Sequence, residues 1–255
     1  MPAPLVAEPW IEALAQARRQ RRLLPAPALA PLTRAQAYHV QQCLLSLLGE
    51  ARVGWKVGTC DADDGVCGAP LPASALKRPG SPLEFAPNQV VGLEVELAFR
   101  LTDLARLASE PLPEAVFLRE GIRDMALAVE AVSSRWAGWP DVPEGLKLAD
   151  LQNHGALLLG QPIAYDPEFP FLAPQVELMV AGQNRAKCPA ANPAGDPRRL
   201  LQPFIRQCQH FERPIGAEDW ITTGSYSGIE FGVTSFDFVA RMGGMPALEG
   251  RVVRA

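Results

Sequence analysis

Apolar residues recur along this chain with two different periods, and the period changes near residue 50. Before that point the spacing is helical. A first helix is predicted from near Pro9 to Arg22, where the Pro-Ala-Pro-Ala-Leu-Ala-Pro stretch (25–31) breaks it. Thr33, followed three residues later by Gln36, forms a capping box that opens a second helix, and Gly49 closes it. Ala37, Val40, Leu44, Leu47 and Leu48 give that helix one core-facing stripe, with Tyr38, His39 and Gln41 interleaved. His39 reads as a surface or core-edge histidine.

From about residue 52 the pattern becomes that of short strands between Gly/Pro loops. Arg52-Val-Gly-Trp-Lys-Val-Gly58 reads as a strand with Lys56 in its middle, and residues 59–90 as a loop-rich connection. Val91-Gly-Leu-Glu-Val-Glu-Leu-Ala-Phe99 is a strand in which Leu93, Val95, Leu97 and Phe99 alternate with the rest. A helix over 113–123 precedes a strand at Met125–Val132 that carries Glu130. Further strands are predicted at Leu157–Gly160, at Gln175–Ala181 and from Trp220 onward. Between the last two, a helix begins at Asp196, its N-cap, with Pro197 in the first turn. It runs to about Arg213, and Pro203 either kinks it or delays its start. Mixed strands with helices inserted between them argue for an α+β fold, with an N-terminal helical region (1–50) and a strand-rich region (51–255).

Composition narrows the classes of function. A chain of 255 residues with 48% apolar content can bury a full core. A net charge of −4 leaves no electrostatic footprint for nucleic acid, and the cluster Arg18, Arg19, Arg21 and Arg22 suits a solvated helix end. No apolar run has membrane-spanning length and Met1-Pro-Ala-Pro lacks the marks of a signal peptide, so a cytoplasmic protein is expected. Cys43, Cys60, Cys67, Cys188 and Cys208 show no Cys-x-x-Cys spacing, and all five are expected to be free thiols. Asp61, Asp63 and Asp64, between Cys60 and Cys67, fit no zinc pattern and read as solvating a loop.

The candidate chemistry lies on the strand at 91–99. Its alternation puts Glu94 and Glu96 on one face, two residues apart at about 6–7 Å. Two such charges repel and resist burial. Either the face is an ordinary solvent-facing edge, or a hard cation with oxygen ligands compensates them. Lys56 poses a similar choice between a side chain that reaches past its neighbours to solvent and one that pairs with a charge.

Several short motifs, weak singly, form an ordered set. They are Ala37-Tyr-x-x-Gln41, Gly54-Trp-Lys-Val-Gly58, Gly92-Leu-Glu-Val-Glu-Leu-Ala-Phe99 and Val129-Glu-Ala-Val-Ser-Ser-Arg135. Leu148-Ala-Asp-Leu-Gln-Asn-His-Gly155, Asn192-Pro-Ala-Gly-Asp196 and Asp219-Trp-Ile-Thr-Thr-Gly-Ser225 complete it. Over essentially its whole length the chain resembles the 2-keto-4-pentenoate hydratases of the fumarylacetoacetate hydrolase superfamily.

The resemblance implies a mixed, rolled β-sheet domain of the fumarylacetoacetate hydrolase C-terminal type after the helical region. It implies Glu130 as a third carboxylate with Glu94 and Glu96, together holding Mg²⁺ or Mn²⁺ and leaving positions for a small chelating 2-keto acid. It places Lys56 in the active site as a proton carrier, with its pKa expected to fall near the cation. Thr223 and Ser225 become substrate-binding groups, although a plain Gly/Ser turn would look the same. Asn153 and His154 stand where the family often carries small serines, and His154 is either a proton donor or a wall. The expected reaction adds water to a 2-hydroxy-2,4-dienoate, giving a 4-hydroxy-2-oxo acid. Decarboxylation of the 4-oxalocrotonate type, C–C bond hydrolysis and a catalytically idle scaffold are the alternatives. A homo-oligomer is implied too. One departure stands out. Gly65-Val-Cys-Gly-Ala-Pro-Leu-Pro72 carries no acid where many members of the family have one.

Overall fold

The computed structural model describes residues 8–25, 32–60, 65–102, 107, 109, 112–187, 189–232 and 234–255. Two sheets and a layer of helices make up the molecule. The larger sheet has nine strands, in the path order β2 (Val66–Pro72), β1 (Arg52–Thr59), β11 (Trp220–Ser225), β5 (Val91–Leu101), β6 (Ile122–Val132), β7 (His154–Leu159) and β3 (Leu76–Lys77). Two short strands join it off that path: β12 (Glu230–Gly232) on β5, and β8 (Ile163–Ala164) on β6. The smaller sheet has five, in the order β10 (Gln183–Asn184), β9 (Val176–Val180), β13 (Phe236–Met242), β14 (Leu248–Arg254) and β4 (Pro82–Phe85).

The alternating residues Leu93, Val95, Leu97 and Phe99 of β5 are fully buried. They join Val129, Leu158, Phe238, Ala240 and Val252 in a core that draws on both sheets. The opposite face of β5 is not solvated either. Glu96 and Ala98 are buried there, and Ala98, Ala126 and Ala128 floor it with small side chains. A simple solvent-facing edge is therefore excluded for the Glu94/Glu96 pair.

The second helix, α2 (Arg34–Leu48), has both halves of the Thr33/Gln36 capping box and a left-handed Gly49 at its end. Its stripe differs in detail from the expectation. Ala37, Val40 and Leu44 are buried, but Leu47 is exposed, and Tyr38 and Gln41 turn inward. Tyr38 donates to Gln207 Oε1 and Gln41 donates to the Leu148 carbonyl, so each buried polar group is satisfied. The first helix, α1 (Glu8–Gln20), packs with α2 around a core shared with Ala69, Trp136, Leu146 and Leu151 of the strand-rich region. The proline stretch that was expected to end it, residues 26–31, lies outside the described residues.

Two corrections concern residues 59–90. This segment is not mainly loop, since β2, β3 and β4 fall within it. Pro70 and Pro72 disguise β2, but it pairs with only one neighbour, β1, and an edge strand tolerates residues without an N–H donor. All seven of its residues are nevertheless buried. The second correction is that Cys60 and Cys67 are joined in a disulfide across the β1–β2 hairpin. The pairing brings the two sulfurs together across strands, which sequence spacing alone does not reveal. Cys43 and Cys208 remain thiols; Cys188 and the acids Asp61, Asp63 and Asp64 lie outside the described residues.

Toward the C-terminus, Asp196 caps a 3-10 turn over Pro197–Leu200, and the α-helix proper is Leu201–His210. Pro203 thus delays the helix rather than kinking it, because within the first turn its missing N–H breaks no bond. Among the described residues no helix is long and apolar enough to cross a membrane.

Candidate metal centre

Strand register assembles the site. β5 and β6 run antiparallel with Glu94 directly opposite Glu130, and Glu96 lies two residues along on the same face. One ligand atom from each of the three carboxylates falls within 4.8 Å of the others. Across β11, Ala98 pairs with Thr222 and Thr222 with Lys56, which brings the lysine onto that face from two strands away. Gly54 permits the close fit of β1 on β11, since a Cβ there would stand 2.2 Å from the Trp220 carbonyl oxygen.

Lys56 Nζ lies 3.0 Å from Glu130 Oε2 and donates to the Gln152 carbonyl at 3.2 Å. His154 Nδ1 is 2.8 Å from Glu130 Oε1, with both side chains fully buried. The Gly224 N–H donates to Glu96 Oε2 at 3.2 Å. Like carboxylates directly opposite one another destabilise a sheet, and here one ammonium serves three of them.

The electrostatics follow from that imbalance. Burial, opposed by Lys56, raises the Glu94 pKa to about 7. Burial and then the neighbouring Glu130 and Glu94 hold Glu96 well above the usual carboxylate range. Glu130 goes the other way: burial pushes it up, but Lys56 and the His154 hydrogen bond outweigh this and lower it. Burial also works against the Lys56 charge, yet Glu130, Glu94 and Glu96 raise its pKa overall; the expected fall was that of a lysine beside a bound cation. A cation among the carboxylates would cancel much of that support. Burial lowers the His154 pKa despite the bond to Glu130, leaving a neutral imidazole.

Six buried polar atoms in these segments lack a hydrogen-bond partner: Glu96 Oε1, Thr222 Oγ1, Ser133 Oγ, Gln152 Oε1, Asn153 Oδ1 and His154 Nε2. Native interiors satisfy nearly all such atoms, so their concentration here marks a ligand site. Three carboxylates with one ligand atom each inside 4.8 Å and a single lysine to balance them suit a hard divalent cation. Lys56, Gln152 and Asn153 also line a cleft of about 660 Å³, with the Cys60–Cys67 pair in its wall.

The remaining candidates divide. Asn153 is in the cleft wall. His154 bonds to Glu130, so it braces a carboxylate. Thr223 points away, its hydroxyl donating to the Leu97 carbonyl, and Ser225 donates to the Gly228 carbonyl. Thr222 shares the face with Lys56 and Glu96, and strand parity alone decides between two adjacent threonines.

Gln152 carried no sequence signal. Leu151, Gln152 and Asn153 have φ values of 53°, 52° and 58°, one left-handed turn built from non-glycine residues. Such backbone costs about 1–2 kcal/mol per residue and persists only where its surroundings impose it. Asp150 imposes it. Its carboxylate is buried among Arg18, the Arg135 side chain and backbone N–H, and Ser134, and its carbonyl accepts from Asn153 N.

No family model matches the sequence, and no curated protein matches it at a significant level. Solved structures do match. One is 4-oxalocrotonate decarboxylase from Pseudomonas putida G7 complexed with magnesium and adipate, at a TM-score of 0.77 and 17% identity, covering 98% of this chain and 100% of that one. Another is fumarylpyruvate hydrolase from Pseudomonas aeruginosa with Mn²⁺ and pyruvate, at 0.50 and 16%, covering 81% and 91%. A third, described as a fumarylacetoacetate hydrolase family protein from Yersinia pestis CO92, gives 0.50 and 18%, covering 79% and 93%. At such identities the likeness concerns architecture, and the architecture of this chain is the mixed α+β, curled-sheet fold of the fumarylacetoacetate hydrolase type.

Proposed function

We propose that the protein is a divalent-metal-dependent lyase for a small 2-oxo acid, of the 2-keto-4-pentenoate hydratase type that its sequence resembles. The observation that carries this reading is the trio Glu94, Glu96 and Glu130 within 4.8 Å, beside a lysine. These residues would hold Mg²⁺ or Mn²⁺, and the ion would supply Lewis acidity at the carboxylate and keto oxygens of the substrate.

The chain's own residues do the rest. Lys56 is held charged, anchored on the Gln152 carbonyl, and placed to give a proton to the carbon skeleton beside the keto group. Gln152 and Asn153 offer unpartnered acceptor oxygens to a hydroxyl or water. His154 fixes Glu130 from behind, so that the carboxylate keeps its orientation as charge develops. Hydration of a 2-hydroxy-2,4-dienoate uses all of these groups. The active form is a homo-oligomer, so a 27.6 kDa monomer by light scattering at micromolar concentration removes that part of the reading.

Decarboxylation is the second reading, and a specific observation favours it. The carboxylates that act most on Lys56 are the three of the metal trio, Glu130, Glu94 and Glu96, and Gly65–Pro72 carries no acid where many members of the resembled family have one. Loss of CO₂ requires a sink for electrons and a single proton donor, with no group to activate water. The test is a panel of 2-hydroxy-dienoates with and without a second carboxylate, following CO₂ release and hydrated product together. Chelation should abolish turnover and Mg²⁺ or Mn²⁺ restore it. Glu96→Gln should lose metal affinity steeply, and full activity in that variant would sink the carboxylate assignment.

A further inference from the structure

On another part of the surface, a cleft of about 580 Å³ is lined by Arg18, Arg19, Arg21, Lys77 and Arg135, with Glu50 and Glu84. It shares no lining residue with the cleft that holds Lys56, Gln152 and Asn153. Its volume is in the range of small-molecule sites, roughly 300–1,000 Å³. The two acids in its wall are already engaged. Glu84 pairs with Arg21 at 3.2 Å, and Glu50 Oε2 accepts from Ser74 N at 3.2 Å. Arg18 and Arg135, both largely buried, share the single carboxylate of Asp150. Arg19 donates to the Leu47 carbonyl, and Lys77 has no ion pair among the described residues.

Five cations stand against the three acids Glu50, Glu84 and Asp150, which leaves a surplus of positive charge, and surplus charge that is partly buried is costly unless something pairs with it. Two further facts agree. Arg18 Nε is buried without an acceptor. Burial, then the nearby Arg135, pulls the Arg18 pKa down to about 10. We infer that this cleft is a second binding site, one for a small oxyanion of two or more charges, a dicarboxylate or a phosphate. A planar guanidinium with a free N–H and a flexible ammonium are the groups such a ligand uses. The inference stands independently of the metal reading.

The test is calorimetric titration of the metal-free, chelator-treated full chain with inorganic phosphate and, separately, with succinate. The carboxylate cluster, with three acids to one lysine, offers no surplus positive charge to an anion and stays silent. One saturable site for either titrant is expected, and which one binds identifies the source. Lys77→Glu should weaken binding about tenfold, with Arg19→Gln as the second variant if the first melts early. Glu96→Gln should leave the affinity unchanged. Failure of both anions to saturate below about 10 mM overturns the proposal. So does equal affinity in the Lys77 and Arg19 variants, and so does loss of binding in Glu96→Gln.

Discussion

Two buried charge clusters flank the segment 150–154, and they are unbalanced in opposite directions. On one side three carboxylates share Lys56; on the other, two guanidiniums share Asp150. Asp150 is saturated, both of its oxygens accepting from nitrogen or hydroxyl donors. The glutamates are not, since Glu96 Oε1 has no hydrogen-bond partner and one lysine serves all three carboxylates. A satisfied buried ion acts as scaffold, whereas an unsatisfied one in a cleft is arranged for a ligand. Here the scaffold serves the site. Asp150 fixes the left-handed turn that carries Gln152 and Asn153 into the cleft.

The largest expected effect lies on the scaffold side. Asp150→Asn strips two buried guanidiniums of the carboxylate they share, which should cost about 3–5 kcal/mol in urea unfolding. A loss below about 1 kcal/mol would erase the contrast between the clusters.

Next comes Lys56→Met, which keeps the aliphatic stem and removes the charge. Folding and Mg²⁺ affinity should hold, while kcat falls about 10²-fold or more at saturating substrate. Rates within about threefold of the parent would return Lys56 to a structural role.

His154 links the two sides, so its replacement should be felt at the metal. His154→Leu is expected to weaken Mg²⁺ binding about tenfold by calorimetry. His154→Asn, whose amide can replace the Nδ1–H donor, should recover part of it. Equal losses in both variants would mean that His154 merely fills space.

The smallest effect is one of pH. The folded pKa of Glu94 is raised from 4.5 to about 7, so the native state holds its proton more tightly than the unfolded chain. Stability of the metal-free protein should therefore fall as pH rises through that window, by about 2–4 °C in Tm per kcal/mol. Glu130, whose pKa is lowered, contributes stability that is lost at more acidic pH and does not oppose the trend. Mg²⁺ affinity should rise over the same window as protons leave the carboxylates. Buried His154, whose pKa is lowered, pulls the other way near its ordinary value, so the check compares the parent with Glu94→Gln: identical pH profiles of Tm between 4.5 and 7 without metal would contradict the raised Glu94 value.

What the sequence by itself determined is local. Capping chemistry placed the start of α2 at Thr33, and period-two alternation placed Leu93, Val95, Leu97 and Phe99 in the core with Glu94 and Glu96 opposite them. These signals operate within one helical turn or along one strand, so they survive without tertiary contacts. The ordered motifs added Glu130 and Lys56, which no local rule would have joined to the pair.

Tertiary structure alone decided the remainder. It set Glu94 against Glu130, chose Thr222 over Thr223, hid β2 at a sheet edge despite its prolines, and paired Cys60 with Cys67. Cross-strand register depends on residues far apart in the chain, and the cost of burying a charge is known only once its surroundings exist.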